Sequence, residues 1–355
     1  MTTQMTNKVV TITLNPALDL TGSLEQLNIG SVSLVNHSSL HAAGKGVNVA
    51  KVLSDLGAQV TVTGFLGKDN PEMFSQLFSD IGASDQFVRV EGATRINVKL
   101  VEADGRVNDI NFPGVTVNEQ NIVEFEQRLT RLMTDHDYFV FAGSLPQGVT
   151  PEQCAKWIAL LQNAGKKVLF DSSRAALKAG LDAAPWLIKP NDEELSEFVG
   201  KTLQSADECQ HAAQSLANKG IANIVVSMGA DGVMWLHDGQ WLRAMPPRMS
   251  VVSTVGAGDT LVAGFRSVAA TSRSSVLINR CLSERFVHLF ACFLQCWGHM
   301  QQMPKMDLLK FATALSAMAV TQVGVGLTSQ QELESIQQRT QVQSLDDVQN
   351  SASAS

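Results

Sequence analysis

The sequence predicts an α/β fold in which a doubly wound, mostly parallel β-sheet carries helices on both faces. Three observations support this prediction. Short apolar runs rich in β-branched residues alternate with helical patterns along most of the 355 residues. Several helical patterns end in glycine, the usual residue just after a helix C-terminus. Antiparallel features are confined to two short segments. This alternation is typical of parallel strands joined by helices that cover both faces of the sheet.

The predicted strands and helices follow one another from the N-terminus. The run VVTITL, from Val9, predicts a first buried strand, and VTVTGFLG, from Val60, predicts another after the helical pattern GVNVAKVLSDLG. Later apolar runs predict further strands at YFVFAGSL, KKVLFDSS, WLIKPN and NIVVSMG. Helical patterns such as PEQCAKWIALLQNAG and DECQHAAQSLANKG lie among them. We therefore expect a single domain over about 1–330.

Two segments, at about 19–40 and 93–113, depart from the alternation of strand and helix. Both alternate apolar with polar residues and contain Asn, Asp and Gly turns, with no helix between their strands. The second predicts a hairpin about the sequence ADG. We interpret both segments as antiparallel strands that are added to the main sheet and form a small β-lid.

Composition restricts the classes of partner. The chain has 27 basic and 34 acidic residues, so it offers no basic surface for a nucleic acid. No apolar stretch approaches the roughly 18 residues that would indicate a membrane span. The N-terminal residues lack the apolar core of a secretion signal. The five cysteines are irregularly spaced and do not form a disulfide framework. We expect a cytoplasmic protein with neither nucleic-acid nor membrane partners.

The sequence AAGKGVNVA places a glycine-rich turn directly before a helix. Gly44, Lys45 and Gly46 form the turn, and Asn48 lies in the first turn of the helix. In open α/β sheets ligands bind at such positions, where the free N–H groups and the helix dipole suit a phosphate or a polyol. A turn that only connects strand and helix is an equally good interpretation. The turn is not a Walker A loop, because Gly46 stands where Ser or Thr would follow the lysine.

The sequence IKPNDEEL ends another strand, with Lys189, Asn191 and Glu194 at its end. An amide and a carboxylate three residues apart could hold a hydrated Mg²⁺ ion. The alternative is a helix N-terminal cap in which the dipole favours the acidic residues. A second glycine turn, VSMGADG, follows the strand that ends near Ser227.

The sequence STVGAGDT combines two glycines with an acid at the start of a helical pattern. The N–H groups of Ala257, Gly258 and Asp259 would point outward together, while the carboxylate of Asp259 could accept a proton from an attacking hydroxyl. Such donors stabilise the charge on a transferring phosphoryl group. An acid that merely favours the helix N-terminus would explain Asp259 but not the paired glycines.

The sequences GAGD and AAGKGVNVAKVLSDLG resemble the two signatures of the PfkB, or ribokinase-like, family of sugar kinases. TLNPALDL, GFLGKDN, TRINVKL and GSLPQGV add to a similarity that runs from about Val9 to Gly326. The resemblance implies a ribokinase-like fold and ATP-dependent phosphorylation of a phosphorylated ketohexose. Fructose 1-phosphate, which would give fructose 1,6-bisphosphate, is the first candidate acceptor. Tagatose 6-phosphate and fructose 6-phosphate remain open. So does a different class, a sugar-phosphate-binding protein with impaired turnover.

The resemblance also implies roles for individual residues. Asp259 would be the general base, beside an anion hole formed by the N–H groups of Gly256, Ala257, Gly258 and Asp259. The sugar hydroxyls would be held by Asp19, Gly44, Lys45 and Asn48, and the phosphate of the acceptor by Arg95, Lys99 and Ser144. ATP would be bound by Lys189, Ser227, Gly229, Ala230, Asp231, Gly232 and Gly258. Asn191 and Glu194 would hold Mg²⁺ through water. Lids of this family often pair between subunits, so the resemblance also makes a homodimer through the β-lid a prediction.

The sequence departs from the family pattern at about 266–303, where an insertion interrupts the helix that would begin at Asp259. Four potential metal ligands fall on one face of a helical pattern in this insertion: His288, Cys292, Cys296 and His299. A straight helix cannot surround zinc with four ligands, so we predict an apolar packing helix instead. The polar, serine-rich segment 337–355 predicts a disordered tail.

Overall fold

A computed structural model describes residues 7–228, 231–247, 297–319, 327 and 329–345. The strands are β1 (Lys8–Thr13), β2 (Ala17–Leu24), β3 (His37–Ala43), β4 (Gln59–Gly67), β5 (Ser84–Asp85), β6 (Val88–Val90), β7 (Ile96–Glu102), β8 (Val107–Ile110), β9 (Tyr138–Ala142), β10 (Lys167–Asp171), β11 (Leu187–Ile188), β12 (Asn223–Ser227), β13 (Val233–His237), β14 (Gln240–Met245) and β15 (Gln341–Ser344). The helices are α1 (Lys45–Asp55), α2 (Glu72–Asp80), α3 (Glu119–Leu132), α4 (Pro151–Asn163), α5 (Arg174–Leu181), α6 (Asp192–Val199), α7 (Ala206–Ala217), α8 (Lys305–Ala319) and α9 (Gln330–Arg339).

The main sheet has the strand order β15-β14-β13-β12-β11-β10-β9-β1-β4-β5, and β6 pairs with the end of β4. Every neighbouring pair from β12 to β5 is parallel, whereas β12 to β15 are joined by antiparallel pairs. The predicted mostly parallel sheet is confirmed. Short connections join β12 to β13 and β13 to β14, and such connections cannot join parallel neighbours. β15 pairs with β14 from a distant part of the chain.

Side chains that alternate along the strands build a hydrophobic core on each face of the sheet. In β1, Val9 belongs to one buried cluster, while Val10 and Ile12 belong to the other. The first cluster contains the apolar faces of α1, α2, α8 and α9. The second contains those of α3, α4, α5, α6 and α7. The predicted covering of both faces by helices is therefore confirmed.

The predicted lid segments form a separate four-stranded sheet with the order β3-β2-β7-β8. The hairpin about ADG is confirmed, since β7 and β8 are antiparallel and the Gly105 N–H donates to the Glu102 carbonyl at 2.8 Å. Two details of the prediction are wrong. The strands are not added to the main sheet, and β2 pairs with β7 in parallel, with Asp19 opposite Asn97. This pairing joins two distant segments, and no hairpin connects them.

The segment predicted as a disordered tail is ordered over 337–345, so the prediction is wrong for these residues. α9 continues to Arg339, and β15 pairs with β14. Ile336 and Thr340 are buried at the junction. An edge strand buries only part of its residues, so its polar sequence does not prevent pairing. Residues 346–355 lie outside the described part of the chain.

The last seven residues of the predicted insertion, 297–303, belong to the hydrophobic core. Residues 297–300 are helical, and the Trp297 indole donates from Nε1 to the Leu56 carbonyl at 3.1 Å. Met300 is 5% exposed and packs in the cluster that contains α1 and α8. A Cβ on Gly298 would lie 2.0 Å from Leu308 Cδ1, so a larger residue there would require the Leu308 side chain to move. Residues 266–296 lie outside the described residues.

His299 lies at the amino edge of the sheet. Its Nδ1 is 3.0 Å from the Tyr138 hydroxyl and 3.2 Å from Lys167 Nζ, and these two residues begin β9 and β10. The other three predicted metal-ligand candidates are outside the described residues. Among the residues that are described, no three His, Cys, Asp or Glu side chains are grouped closely enough to hold a metal ion. Within that same part of the chain, no helix is both long and apolar enough to span a membrane.

Candidate active site

The parallel strands bring most of the predicted site residues to one edge of the main sheet. β1, β9, β10 and β11 are parallel neighbours, so their carboxyl ends lie together. Ser144 follows β9, and Lys189 follows β11. α1 begins at the same edge, where Gly44 connects it to the lid strand β3. The region between these strand ends and the lid is where an open α/β sheet binds its ligands.

The turn before α1 is fixed by close backbone packing. Gly44 has a φ of 131°, and a Cβ on Gly46 would lie 2.3 Å from Thr13 Oγ1 at the end of β1. Side chains at these two positions would push α1 away from the strand. Gly44 has no side chain that could cap the helix N-terminus, and the Asn48 N–H donates to the Gly44 carbonyl at 2.9 Å. The N–H groups of Lys45, Gly46 and Val47 precede this first intrahelical bond, and N–H groups at this position of a helix suit an anion.

Asp171, the last residue of β10, lies between two lysines. Its Oδ1 is 3.1 Å from Lys45 Nζ and 3.7 Å from Lys189 Nζ. The side chain of Asp171 is fully buried and Lys189 is 3% exposed, whereas the Lys45 side chain is 41% exposed. Lys45 belongs to the predicted sugar side and Lys189 to the predicted ATP side. A buried carboxylate therefore joins the two sides.

Asn191 and Glu194 form a reciprocal cap at the N-terminus of α6. The Asn191 side-chain oxygen accepts from the Glu194 N–H at 2.6 Å, and Glu194 Oε2 accepts from the Asn191 N–H at 3.1 Å. Burial raises the pKa of the Glu194 carboxyl; Lys189 and Lys45 oppose this rise, and Asp171 adds to it. The structure thus shows the capping alternative, and it places the pair beside the two lysines.

Arg95 joins the lid to the core of the domain. Its Nη2 donates to the Asn15 carbonyl at 2.9 Å, and its Nη1 donates to the Phe112 carbonyl at 3.2 Å. The Ser144 hydroxyl lies 3.5 Å from the same Nη2. Burial lowers the pKa of the Arg95 guanidinium, and the charge of Asp19 opposes this shift. The predicted neighbours Arg95 and Ser144 are therefore brought together.

Asp19 and Lys99 form an ion pair on one face of the lid. They belong to the neighbouring parallel strands β2 and β7, and Asn97 Nδ2 also donates to Asp19 Oδ1, at 3.3 Å. The pair lies at the end of the lid that adjoins the Gly44 turn, since Ala17 is opposite Ala43. The predicted sugar ligand Asp19 thus has a positive neighbour that fixes its carboxylate.

The predicted ATP side is described in part. Ser227 is fully buried, and its hydroxyl has no hydrogen-bond partner among the described residues. Gly232 has a φ of 89°, and a Cβ there would lie 2.1 Å from the Ala244 carbonyl oxygen. The Asp231 N–H donates to the Met228 carbonyl at 3.0 Å, which closes the turn. The remaining predicted residues lie outside the described residues: Gly229, Ala230, Gly256, Ala257, Gly258 and Asp259.

Comparison with known proteins identifies the family. The model of the pfkB family carbohydrate kinases matches residues 7–332. The chain belongs to this family. Its fold, with a mostly parallel sheet covered by helices and a separate small sheet, is that of PfkB sugar kinases.

Individual PfkB proteins match nearly the whole chain. 1-Phosphofructokinase of Vibrio cholerae is 64% identical over 341 residues, which cover 96% of this chain and 98% of that protein. 1-Phosphofructokinase of Escherichia coli K12 is 42% identical over 340 residues, 96% of this chain and 99% of its own length. The crystal structure of phosphofructokinase-2 from Escherichia coli with substrates and products is 25% identical and has a TM-score of 0.77. That match covers 94% of this chain and 99% of the solved one.

Two residues of this candidate site were not predicted from the sequence. Asp171 ends the apolar run VLFD, and an acid at the carboxyl end of a buried strand was the available signal. Asn15 is 8% exposed and donates from Nδ2 to the Ser144 hydroxyl at 3.2 Å. Asn15 follows β1 at the same sheet edge, and this position is the sequence feature that could have identified it as a site residue. Both contacts join residues more than 100 positions apart, so local patterns could not reveal the partners.

Proposed function

We propose that this chain transfers the γ-phosphoryl group of ATP to fructose 1-phosphate and forms fructose 1,6-bisphosphate and ADP. The observation that carries the proposal is the 64% identity, over 96% of the chain, with a protein named 1-phosphofructokinase. The geometry agrees with a reaction between two anionic substrates. Lys45 and Lys189 lie together at the sheet edge, where α1 also begins.

In this reaction the oxygen of the acceptor hydroxyl forms the new bond to the γ-phosphorus, and the bond from that phosphorus to the β,γ-bridging oxygen breaks. The hydroxyl proton passes to the carboxylate of Asp259, and ADP leaves. The N–H groups of Gly256, Ala257, Gly258 and Asp259 stabilise the charge on the phosphoryl group. Lys189 and the turn Ser227–Gly232 bind ATP.

Arg95 and Ser144 are proposed to bind the phosphate that the acceptor already carries. Their polar groups lie 3.5 Å apart at the junction of lid and core, and a guanidinium can contact two phosphate oxygens at once. Lys99 supplies a further positive charge beside Asp19, which together with Gly44, Lys45 and Asn48 holds the sugar hydroxyls. The lid would cover the acceptor and exclude water.

Asn191 and Glu194 are proposed to hold Mg²⁺ through water molecules. Their cap uses one oxygen of each side chain for a backbone N–H, so Glu194 Oε1 and the second lone pairs remain for water. The oxygen-rich donor set suits Mg²⁺, which neutralises phosphate charge when bound. Since ATP is the phosphoryl donor, we place the reaction in the cytoplasm.

The lid is also the proposed contact of a homodimer. The loop between β2 and β3 exposes Ile29, Val32 and Leu34, which are 98%, 85% and 79% exposed. Three highly exposed apolar side chains in one loop of a small sheet are unusual, and a second copy of the lid would cover them.

The experiment is an ADP-release assay with purified protein and three acceptors: fructose 1-phosphate, tagatose 6-phosphate and fructose 6-phosphate. We expect kcat/KM to be highest for fructose 1-phosphate. A higher value for either other sugar would reassign the acceptor. Binding of fructose 1-phosphate in calorimetry without ADP release would show a binding protein and contradict the proposed kinase activity.

A further inference from the structure

Asp171 lies where the two proposed substrate sites meet. One of its oxygens, Oδ1, lies 3.1 Å from Lys45 Nζ and 3.7 Å from Lys189 Nζ. Lys45 starts α1, while Lys189 follows β11, and β10 carries Asp171 between β9 and β11. The residue is therefore held by the centre of the sheet, whereas each lysine belongs to a different side of the site.

Burial makes Asp171 dependent on the neighbouring lysines. The Asp171 side chain has no exposed surface, and a buried carboxylate is strongly destabilised unless positive charge compensates it. The lysines depend on Asp171 in turn, because two ammonium groups that face one carboxylate oxygen repel each other unless its negative charge lies between them. The backbone supports the same position, since the Gly143 N–H donates to the Asp171 carbonyl at 3.0 Å.

From this geometry we infer that Asp171 is a positioning residue that couples the acceptor side to the ATP side through Lys45 and Lys189. The inference rests on the proposed kinase reaction. Its consequence is that a change in one lysine alters the position of the other, because both ion pairs share Oδ1. Substitution of a lysine on one side should therefore weaken binding of the substrate on the opposite side.

The test is a double-mutant cycle with Asp171→Asn and Lys189→Met, assayed by KM for ATP and for fructose 1-phosphate. Asn keeps the size of Asp171 and removes its charge. We expect Asp171→Asn to raise both KM values, and Lys189→Met to raise the KM for ATP less in the Asp171→Asn background than in the wild type. The increase in the KM for ATP that Lys189→Met causes should be at least about fivefold smaller in the Asp171→Asn background, the scale found for residues in contact. Effects that multiply independently would overturn the inference.

A second variant keeps the inference testable if Asp171→Asn does not fold. Lys45→Met removes a partly exposed side chain on the acceptor side and keeps the ion pair between Lys189 and Oδ1. We expect the KM for ATP to rise although Lys45 lies on the acceptor side. An unchanged KM for ATP in folded Lys45→Met protein would contradict the coupling.

Asp85→Asn is the matched control, because Asp85 is also ion-paired, with Arg89, at the far end of the sheet order. It should change neither KM. Wild-type turnover is measured first, so absence of kinase activity would contradict the proposed function itself. If the wild type is active but the substitutions change KM independently of each other, only the role of Asp171 is contradicted.

Discussion

Asp259 is the single residue on which the proposed proton transfer depends. Asp259→Asn keeps the size of the side chain and removes the proton acceptor. We expect kcat to fall by about 10²–10⁴-fold, the usual scale for loss of a general base, while both KM values change little. Steady-state kinetics on the variant would test this. Asp238→Asn, at an exposed position beside β13, is the control. Near-normal turnover of Asp259→Asn would exclude Asp259 as the base.

Arg95 has two functions that kinetics can separate. Its guanidinium holds main-chain carbonyls of both the core loop and the lid, and it is the proposed ligand of the acceptor phosphate. We expect Arg95→Ala to raise the KM for fructose 1-phosphate roughly tenfold to a hundredfold, and the KM for ATP much less. Arg89→Ala, an ion-paired arginine near the edge of the sheet, provides the comparison. Equal increases for both substrates would argue for a purely structural Arg95.

Among the structural elements, the segment 297–303 depends on a neutral histidine. Burial, followed by the charge of Lys167, lowers the pKa of His299 to about 4. In the unfolded chain its pKa is about 6.5, so between these values the unfolded state binds more protons. The stability contribution of His299 is therefore complete above about pH 6.5 and is lost as the pH falls toward 4.

Thermal melts from pH 7 to pH 4.5 would measure this effect. We expect the Tm of the wild type to fall more steeply than that of His299→Gln, which cannot take up the proton. His211→Gln, on the exposed side of α7, should follow the wild type. Identical slopes for the wild type and His299→Gln would show that His299 does not link folding to pH.

Two deletions define where the predicted insertion ends. Removing 266–303 would also remove the buried Met300, and burial of one such side chain contributes about 1.5–3 kcal/mol. Removing 266–296 would leave Trp297, Met300 and Met303 in the core. With a short linker in both proteins, we expect the shorter deletion to have the higher Tm and to retain ADP release. A higher Tm for the longer deletion would show that 297–303 is not part of the stable core.

The sequence was sufficient for elements that form from local contacts. Apolar runs predicted β1, β4, β9 and β10, and the turn residues at ADG predicted the β7–β8 hairpin. It was insufficient where the partner is far along the chain. Asp19 and Asn97 are 78 positions apart, and no local pattern shows that their strands are parallel. β15 has a polar sequence, and only pairing with β14 makes it a strand.

The same distinction applies to the site. Gly44, Gly46 and Lys45 could be predicted because a turn before a helix has a local signature. The cap between Asn191 and Glu194 was one of two interpretations, since the same spacing suits a cap and a metal site. Asp171 could not be assigned a partner, because its two lysines come from different elements that only the folded sheet brings together.

For the whole molecule, the exposed apolar loop of the lid gives a test of assembly. We expect wild-type protein to be a dimer and Val32→Asp to shift it toward monomer, because a buried charge would oppose the contact. Light scattering after size-exclusion chromatography would measure the mass. Leu160→Asp introduces the same charge at an exposed apolar position of α4 and should leave the mass unchanged. A dimer that persists in Val32→Asp would place the interface elsewhere.

The pairing of β14 with β15 has a consequence for synthesis on the ribosome. β14 ends at Met245 and β15 begins at Gln341, so the covering strand is made about a hundred residues after the strand that it covers. Until then β14 presents a row of unpaired N–H and C=O groups, next to the apolar residues Trp241 and Leu242. Such an edge can pair with a strand of another nascent chain. The interval before β15 emerges is thus the period in which newly made molecules on one polysome most need protection from each other.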